Sequence, residues 1–195
     1  MRLHQYLNED TWSYDDMVSL IKSNCNPFLK DWQSTYKYNF LYSGRKSSKD
    51  FDIKTIRKNR KPQNTSLDIH NIVDDWFYRE FGVRARSNAM FGTFNRSMAE
   101  IYGNLFIVFP IGKYVMLSSD KVRDLYLKLG TELVDYTIWA DFKVNEEVKA
   151  TIINFLEKSN YKKNIYNLNE QMVICKKYYM IHGNYNHILK GDLLR

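Results

Sequence analysis

The chain contains few of the residues that hold disulfide-rich or zinc-dependent folds together. Among 195 residues there are two cysteines, Cys25 and Cys175, which lie far apart and belong to no metal-spaced cluster. The four histidines show no ligand spacing with them, which argues against a zinc site. Two isolated cysteines are typical of buried thiols in a reducing compartment. The sequence therefore predicts neither a disulfide framework nor a metal centre.

Long apolar runs and linkers are also missing. No apolar run approaches the roughly 18 residues of a transmembrane helix, and the first residues, MRLHQYLNEDTW, lack the apolar core of a signal peptide. We therefore expect a cytoplasmic protein with no membrane partner. There are three prolines, eight glycines, no Pro/Gly/Ser-rich linker and no repeat. Together with the length, this favours one domain over residues 1–195.

Several familiar functional motifs are absent. The sequence has no GxGxxG and no Walker motif, which weakens Rossmann and P-loop interpretations. It has no nucleophile elbow and no pattern that supports a Ser-His-Asp triad. A helix-turn-helix stays open, although no helix pair is strongly basic on its exposed face.

Positive charge, by contrast, is in excess. The net charge is +7 and the pI about 9.2, which favours nucleic acid, nucleotide phosphates or acidic proteins as partners. The densest basic segment places five cations in eight positions: Lys54, Arg57, Lys58, Arg60 and Lys61. Arg57 and Arg60 suit phosphate best, because a guanidinium fork matches phosphate geometry. A solvated surface loop is the alternative interpretation of this segment.

Apolar spacing and capping residues predict a series of helices. The N-terminal segment, residues 1–37, is expected to be helical, with helices over 15–23 and from Pro27. Further helices are expected from Thr65 to Gly82, from Ser119 to Gly130, and after Asn145.

The strand predictions alternate irregularly with these helices. Strands are expected over 38–43 and 105–110, with a turn at 111–112 and a hairpin partner over 114–117. Residues 45–64 read as a long basic loop, and 172–181 as one bulged strand or a tight strand pair. The tail, 183–195, is either an ordered cap or an interaction segment. This irregular mixture predicts an α+β fold rather than a βαβ array.

One segment is not explained by core packing alone, RSNAMFGTFNRSMAEIYG over 86–103. It predicts a short strand carrying Ser87 and Asn88, followed by a helix. Ser97 and Glu100 are spaced as a capping box, and Gly103 can end that helix. Small polar residues on a strand, backed by a capped helix, can line a cleft without filling it.

A carboxylate, Glu170, precedes the last predicted strand. Alone, it reads as a solvated residue at a strand edge. Three segments then follow one another along the chain: LYSGR over 41–45, RSNAMF over 86–91 and NEQMVI over 169–174. An early strand ends in a basic turn, a middle strand carries a serine, and a late strand begins with a glutamate.

This order resembles the ADP-ribosyltransferase fold of the Arg–Ser–Glu type, over about residues 20–182. In that family the early strand supplies an arginine for NAD phosphates, the middle strand a serine, often in a Ser-Thr-Ser triplet, and the late strand the catalytic glutamate. The chain also resembles small bacteriophage proteins of this kind, which often carry a Leu-Tyr-Arg-Gly start. The resemblance implies split mixed or antiparallel sheets around an NAD cleft, with flanking helices.

The resemblance also implies roles for individual residues. Glu170 would be the catalytic carboxylate, oriented by the hydroxyl of Ser87. Arg45, Arg57 or Arg60 would hold the diphosphate, and Asn88 would add hydrogen bonds. Phe91 or Tyr102 would stack on nicotinamide, although each is also consistent with a core position. NAD would be the substrate, with no metal, and a host protein or nucleic acid would be the acceptor.

Two positions depart from the family pattern. Ser43 stands where the family usually has arginine, although Arg45 lies on the same face if the strand continues. Leu168 stands where arginine-modifying members carry an acidic residue and others glutamine, which argues against arginine as the acceptor. Two other functions therefore stay open. One is an inactive protein of the same fold that binds and inhibits a host defence or metabolic protein; the other is a nucleic-acid-binding or nucleic-acid-modifying protein.

Overall fold

The backbone forms an α+β domain in the computed structural model, which describes residues 12–62, 65–133 and 144–194. The strands are β1 (Tyr42–Arg45), β2 (Phe51–Thr55), β3 (Met90–Thr93), β4 (Asn104–Ser119), β5 (Tyr161–Lys163) and β6 (Glu170–His182). The helices are α1 (Tyr14–Asn24), α2 (Asn26–Ser34), α3 (Leu67–Phe81), α4 (Ala85–Asn88), α5 (Arg96–Glu100), α6 (Leu125–Glu132), α7 (Glu146–Lys158) and α8 (Asn186–Leu194). The α+β class is therefore confirmed.

A long antiparallel ladder between β4 and β6 organises the sheet. It runs from the pair Phe106–His182 to the pair Ser118–Gln171. At the first end, β1 pairs with β4 and β2 pairs with β6. At the other end, β5 pairs with β4 and β3 pairs with β6. The two ends meet again where Tyr42 of β1 pairs with Thr93 of β3, and all these pairings are antiparallel.

Two hydrophobic clusters hold helices against this ladder. The first packs α1, α2 and α8 against the end of the ladder that carries β1 and β2. Trp32, Phe106 and Phe109 are fully buried there. The second packs α3, α6 and α7 against the other end, around Phe77 and Ile152. The helices therefore flank both ends of the sheet.

Several predicted helices are confirmed with their ends. Pro27 lies in the first turn of α2. Gly82 ends α3 in the left-handed region, at φ 74°. The Asn145 side chain caps α7 by accepting a hydrogen bond from the Val148 N–H. At the start of α3 the capping residue is Ser66 rather than Thr65.

The predicted hairpin at 111–112 is wrong, because β4 continues through it as one strand. The chain pairs with β6 on both sides of the break, at Pro110 with Tyr178 and at Tyr114 with Cys175. A register shift absorbs the irregularity, and Gly112 takes φ 68°. A glycine between apolar runs signals a bulge as well as it signals a turn, and only the long partner strand β6 decides between them.

The basic segment is only partly a loop. Residues 51–55 form β2 along the outer edge of β6, with Phe51 buried and paired with Ile181. Edge strands tolerate charged residues on their open side. Such a strand is therefore difficult to distinguish from a polar loop in the sequence. Residues 172–181 lie in the single strand β6, the first of the two predicted alternatives.

The structure corrects the predicted elements around Ser87. Ser87 and Asn88 lie on the short helix α4, and the strand β3 begins only at Met90. The cap of α5 is Asn95, which accepts from the Met98 N–H, so Ser97 and Glu100 form no capping box. The α5 helix ends at Glu100, before Gly103.

The start of α6 is also later than predicted. Asp124 caps this helix, by accepting from the Leu127 N–H. Ser119 instead accepts from the backbone N–H groups of Lys121 and Val122, which forms a turn before the helix. Gly130 lies inside α6 and does not end it.

The chain ends are partly described. Helices α1 and α2 confirm the helical prediction for 14–34, while residues 1–11 lie outside the described residues. The tail is an ordered cap, since α8 buries Leu189 and Leu193. Both cysteines are free thiols, and burial raises each thiol pKa to about 12. None of the helices in the described ranges is long and apolar enough to cross a bilayer.

A matched pair of glycine substitutions tests the packing of β1. A Cβ at Gly44 would lie 2.0 Å from the Ala99 carbonyl oxygen, because β1 passes directly under the end of α5. We expect Gly44→Ala to lower the free energy of unfolding by at least about 2 kcal/mol. A Cβ at Gly191, inside α8, would meet nothing within 4 Å, so Gly191→Ala should raise that free energy by about 0.5–1 kcal/mol. Urea denaturation of both variants measures the difference, and equal effects would contradict this packing.

Candidate active site

A cavity of about 320 Å³ opens where β1, β3 and the start of β6 meet. Its floor comes from the short strands β1 and β3, and its rim from α5, Tyr102 and the start of α6. Gly92 of β3 is needed here, because a Cβ would lie 2.8 Å from the Tyr42 carbonyl oxygen. The close approach of β1 and β3 therefore shapes the floor.

Positive charge exceeds negative charge around this cavity. Four arginines line it from four different segments: Arg45 on β1, Arg60 in the basic loop, Arg86 on α4 and Arg123 before α6. Two carboxylates, Asp124 and Glu170, oppose them. Burial and the charges of Arg86 and Arg45 lower the pKa of Arg60. An anionic ligand would relieve this mutual repulsion.

Glu170 is the first residue of β6 and its side chain is only 18% exposed. One carboxylate oxygen lies 3.4 Å from Nη1 of Arg86. Burial raises the pKa of this carboxyl, the positive charge of Arg86 opposes that rise, and Asp124 adds to it. The site therefore holds a largely buried carboxylate, and Arg86, Arg60 and a backbone hydrogen bond from Leu125 favour its ionised form.

Thr93 is a site residue that the sequence reasoning missed. It lies on β3 directly opposite Glu170, and both residues line the cavity. Its hydroxyl donates to the Leu168 carbonyl oxygen at 2.8 Å and accepts from the Asn95 N–H at 3.0 Å. The segment MFGT forms the middle strand in the structure, and Thr93 is its hydroxyl residue, six positions after Ser87. That hydroxyl is the sequence feature that could have identified the residue.

Ser87 is placed differently from the prediction. Its hydroxyl donates to Oδ2 of Asp74 and lies 3.0 Å from Nε2 of His70. In this arrangement Arg86, rather than Ser87, contacts Glu170. Ser87 therefore holds α4 in place. We predicted that its hydroxyl orients the Glu170 carboxylate, but no hydrogen bond joins these two side chains among the described residues.

Asp74 is the second residue that the sequence reasoning missed. This α3 carboxylate is fully buried and accepts the backbone N–H groups of Arg86, at 2.7 Å, and Ser87, at 3.1 Å. These donors are the unpaired N–H groups at the start of α4, so a distant side chain supplies the helix cap. Since α4 carries Arg86, Asp74 also positions the cation that contacts Glu170.

Hydrogen bonds join α4 to the basic loop, residues 56–62, that follows β2. The Asn88 side-chain oxygen accepts from the Asn59 N–H at 3.1 Å, and the Arg60 N–H donates to the Ser87 carbonyl oxygen at 3.1 Å. These bonds bring Arg60 to the cavity. Arg57 is exposed and lies outside the cavity lining, although its charge reaches Arg60.

The two predicted stacking residues differ in their surroundings. Two guanidinium groups lie over the ring of Phe91, with Arg60 at 4.9 Å and Arg86 at 4.7 Å from its centroid. Tyr102 is 58% exposed on the rim, and its hydroxyl donates to Asp124 at 3.2 Å. Tyr102 therefore has a free ring face, whereas Phe91 organises the arginines.

Arg45 and Ser43 share one face of β1, as predicted, and both line the cavity. The Ser43 hydroxyl donates to the Phe91 carbonyl oxygen at 3.0 Å, which ties β1 to β3. The Arg45 Nε is buried and has no hydrogen-bond partner among the described residues. Such a buried donor is a candidate ligand contact.

We expect the buried carboxylate of Asp74 to be essential for the stability of the fold. Asp74→Asn should lower the free energy of unfolding by about 2–4 kcal/mol, because the amide cannot accept all of the charge-assisted hydrogen bonds. The neighbouring Asp75 is the control, since its side chain is 64% exposed and pairs with Arg84 at the surface. Asp75→Asn should change that free energy by less than about 1 kcal/mol. Urea titrations measure both, and equal losses would contradict the role of Asp74.

No match to this chain was found among protein-family models, curated proteins or solved structures. Within the described residues, no group of three or more His, Cys, Asp or Glu side chains is arranged to hold a metal ion. We therefore infer function from the chemistry of the cavity, which joins two carboxylates, the hydroxyl residues Ser43 and Thr93, and four arginines.

Proposed function

We propose that the protein is an NAD-dependent mono-ADP-ribosyltransferase that modifies a macromolecule of a host cell. One observation carries the proposal. Three neighbouring strands, in the spatial order β1, β3 and β6, bring Arg45, Thr93 and Glu170 to one cavity. This is the arginine, hydroxyl and glutamate order of the family that the sequence resembles, with Thr93 in place of the predicted Ser87.

The proposed reaction breaks the bond between nicotinamide and ribose. Nicotinamide leaves with the bonding electron pair, and positive charge develops on the ribose ring. The Glu170 carboxylate would stabilise that charge, an effect that a partly desolvated site strengthens. The acceptor nucleophile then forms a bond to the same carbon and loses its proton.

The diphosphate of NAD would lie among the arginines. Arg45 offers a buried Nε with no partner in the described chain, and Arg60 and Arg123 line the same cavity. In this proposal Arg45 takes the phosphate role that the family gives to the residue at position 43. Tyr102, exposed on the rim, offers a ring face to nicotinamide or adenine.

A second function, binding without catalysis, is favoured by Ser43. Its hydroxyl is used between β1 and β3, so position 43 contributes no cation to the cavity. The protein would then use the same basic cavity to hold an anionic ligand or partner and would inhibit a host protein. Turnover of NAD separates the two functions.

Labelled NAD tests the proposed function directly. The protein should release nicotinamide from NAD and transfer label to material in a host lysate. Glu170→Gln should lower that rate by about 100-fold or more, because the charge-stabilising group is lost. The control is Glu157→Gln, whose side chain is 59% exposed on α7, and it should keep the full rate. If the unmodified protein neither transfers label from NAD nor hydrolyses NAD, the proposed enzymatic function is contradicted.

The pH dependence of nicotinamide release gives a second test. Glu170 must be ionised to act, so activity should fall as the pH drops through its raised pKa. Arg86→Gln removes the charge that lowers this pKa, and should move the acid limb to higher pH. Asp124→Asn removes a charge that raises it, keeps an acceptor for the α6 cap, and should move the limb to lower pH. Shifts in the same direction for both variants would exclude Glu170 as the titrating group.

A further inference from the structure

A second, smaller cavity adjoins the first through shared side chains. Its volume is about 130 Å³, below the roughly 300–1,000 Å³ of pockets that enclose a whole small molecule. Arg60, Arg86, Phe91 and Tyr126 line both cavities. The size suits a single charged group rather than a second nucleotide.

The lining of this second cavity is cationic. Arg60, Lys61 and Arg86 contribute three permanent positive charges, and none of its described lining residues is an aspartate or glutamate. His70 also lines it; burial lowers the pKa of that imidazole, and the charge of Asp74 opposes this shift. A group bound here must therefore be an anion, and guanidinium groups favour phosphate.

Two of these cations are tied to neighbouring elements of the fold. Arg86 is held through the cap that Asp74 gives to α4, and Arg60 through its backbone bond to Ser87. Both guanidinium groups lie over the ring of Phe91. These contacts bring both cations to the wall that the two cavities share.

The surroundings of Glu170 also select against a cationic acceptor. Leu168, 51% exposed on the cavity wall, offers no acidic group to receive an arginine or lysine side chain. Four arginines around the larger cavity would repel such a side chain. Beyond the second cavity, Arg57 and Lys58 extend the positive surface along the exposed basic loop.

We propose that the second cavity binds a backbone phosphate of a nucleic-acid strand, and that this strand is the acceptor of the ADP-ribosyl group. One phosphate occupies the cavity beside Lys61, and the neighbouring phosphates follow the basic loop. Tyr126, 37% exposed between the two cavities, offers a ring on which a base can stack, which favours a single strand. The acceptor role depends on the proposed function, whereas binding of the strand does not.

Binding of the full-length protein to fluorescent single-stranded DNA and RNA oligonucleotides, without NAD, tests the phosphate site. The affinity should fall as the salt concentration rises. Lys61→Ala should weaken binding about equally for all sequences, and should lower the slope of log affinity against log salt concentration by about 1. Lys61→Glu should weaken binding further. Lys30→Ala, an exposed lysine on α2, is the matched control and should bind as the unmodified protein does.

The outcomes separate this inference from the enzyme itself. Lys61-dependent binding to oligonucleotides, with label transferred from NAD to the strand, supports the whole inference, and the DNA and RNA arms identify the strand. If the protein shows the same binding but does not turn over NAD, the phosphate site is supported and the acceptor role of the strand is overturned. Oligonucleotide binding that Lys61→Glu leaves unchanged overturns the inference. So does Lys61-dependent binding of a phosphopeptide but not of an oligonucleotide.

Discussion

The antiparallel ladder between β4 and β6 is the constraint on which the other features depend. Because it is longer than any other pairing, it carries separate partner strands at its two ends. The short strands β1 and β3 come from opposite ends and meet at Tyr42 and Thr93. Gly92 allows β3 to approach the Tyr42 carbonyl oxygen there, and Gly44 allows β1 to pass under the end of α5. The main cavity forms at this meeting point, and Glu170 enters it as the first residue of β6.

The position of Arg86 in the cavity depends on a second constraint, the burial of Asp74. This carboxylate holds the start of α4, and α4 in turn directs Arg86 towards Glu170. The surplus of four guanidinium groups over two carboxylates favours phosphate as a ligand of the cavity. The same surplus keeps Glu170 ionisable despite its burial, since Arg86 opposes the rise of its pKa. Ligand binding and catalysis would thus depend on one set of side chains.

Local signals predict much of the fold. Helices with their own caps, such as α7 after Asn145, can be read from the sequence. Features that depend on a distant partner cannot. The bulge in β4 is decided by β6, and α4 is capped by Asp74 from α3, so the local pattern around Ser87 wrongly predicts a strand. Glu170 and Arg45 do line one cavity, but the hydroxyl opposite Glu170 belongs to Thr93. The pairing of β3 with β6 fixes that contact, and the two strands lie far apart in the sequence.

A crystal structure of the Glu170→Gln variant with NAD tests the central claim most directly. The slowed reaction should leave the dinucleotide intact. We predict that its diphosphate contacts Arg45, and that the ribose attached to nicotinamide lies beside position 170 and Thr93. NAD bound elsewhere on the protein, or no bound NAD at millimolar concentration, would contradict the proposed site.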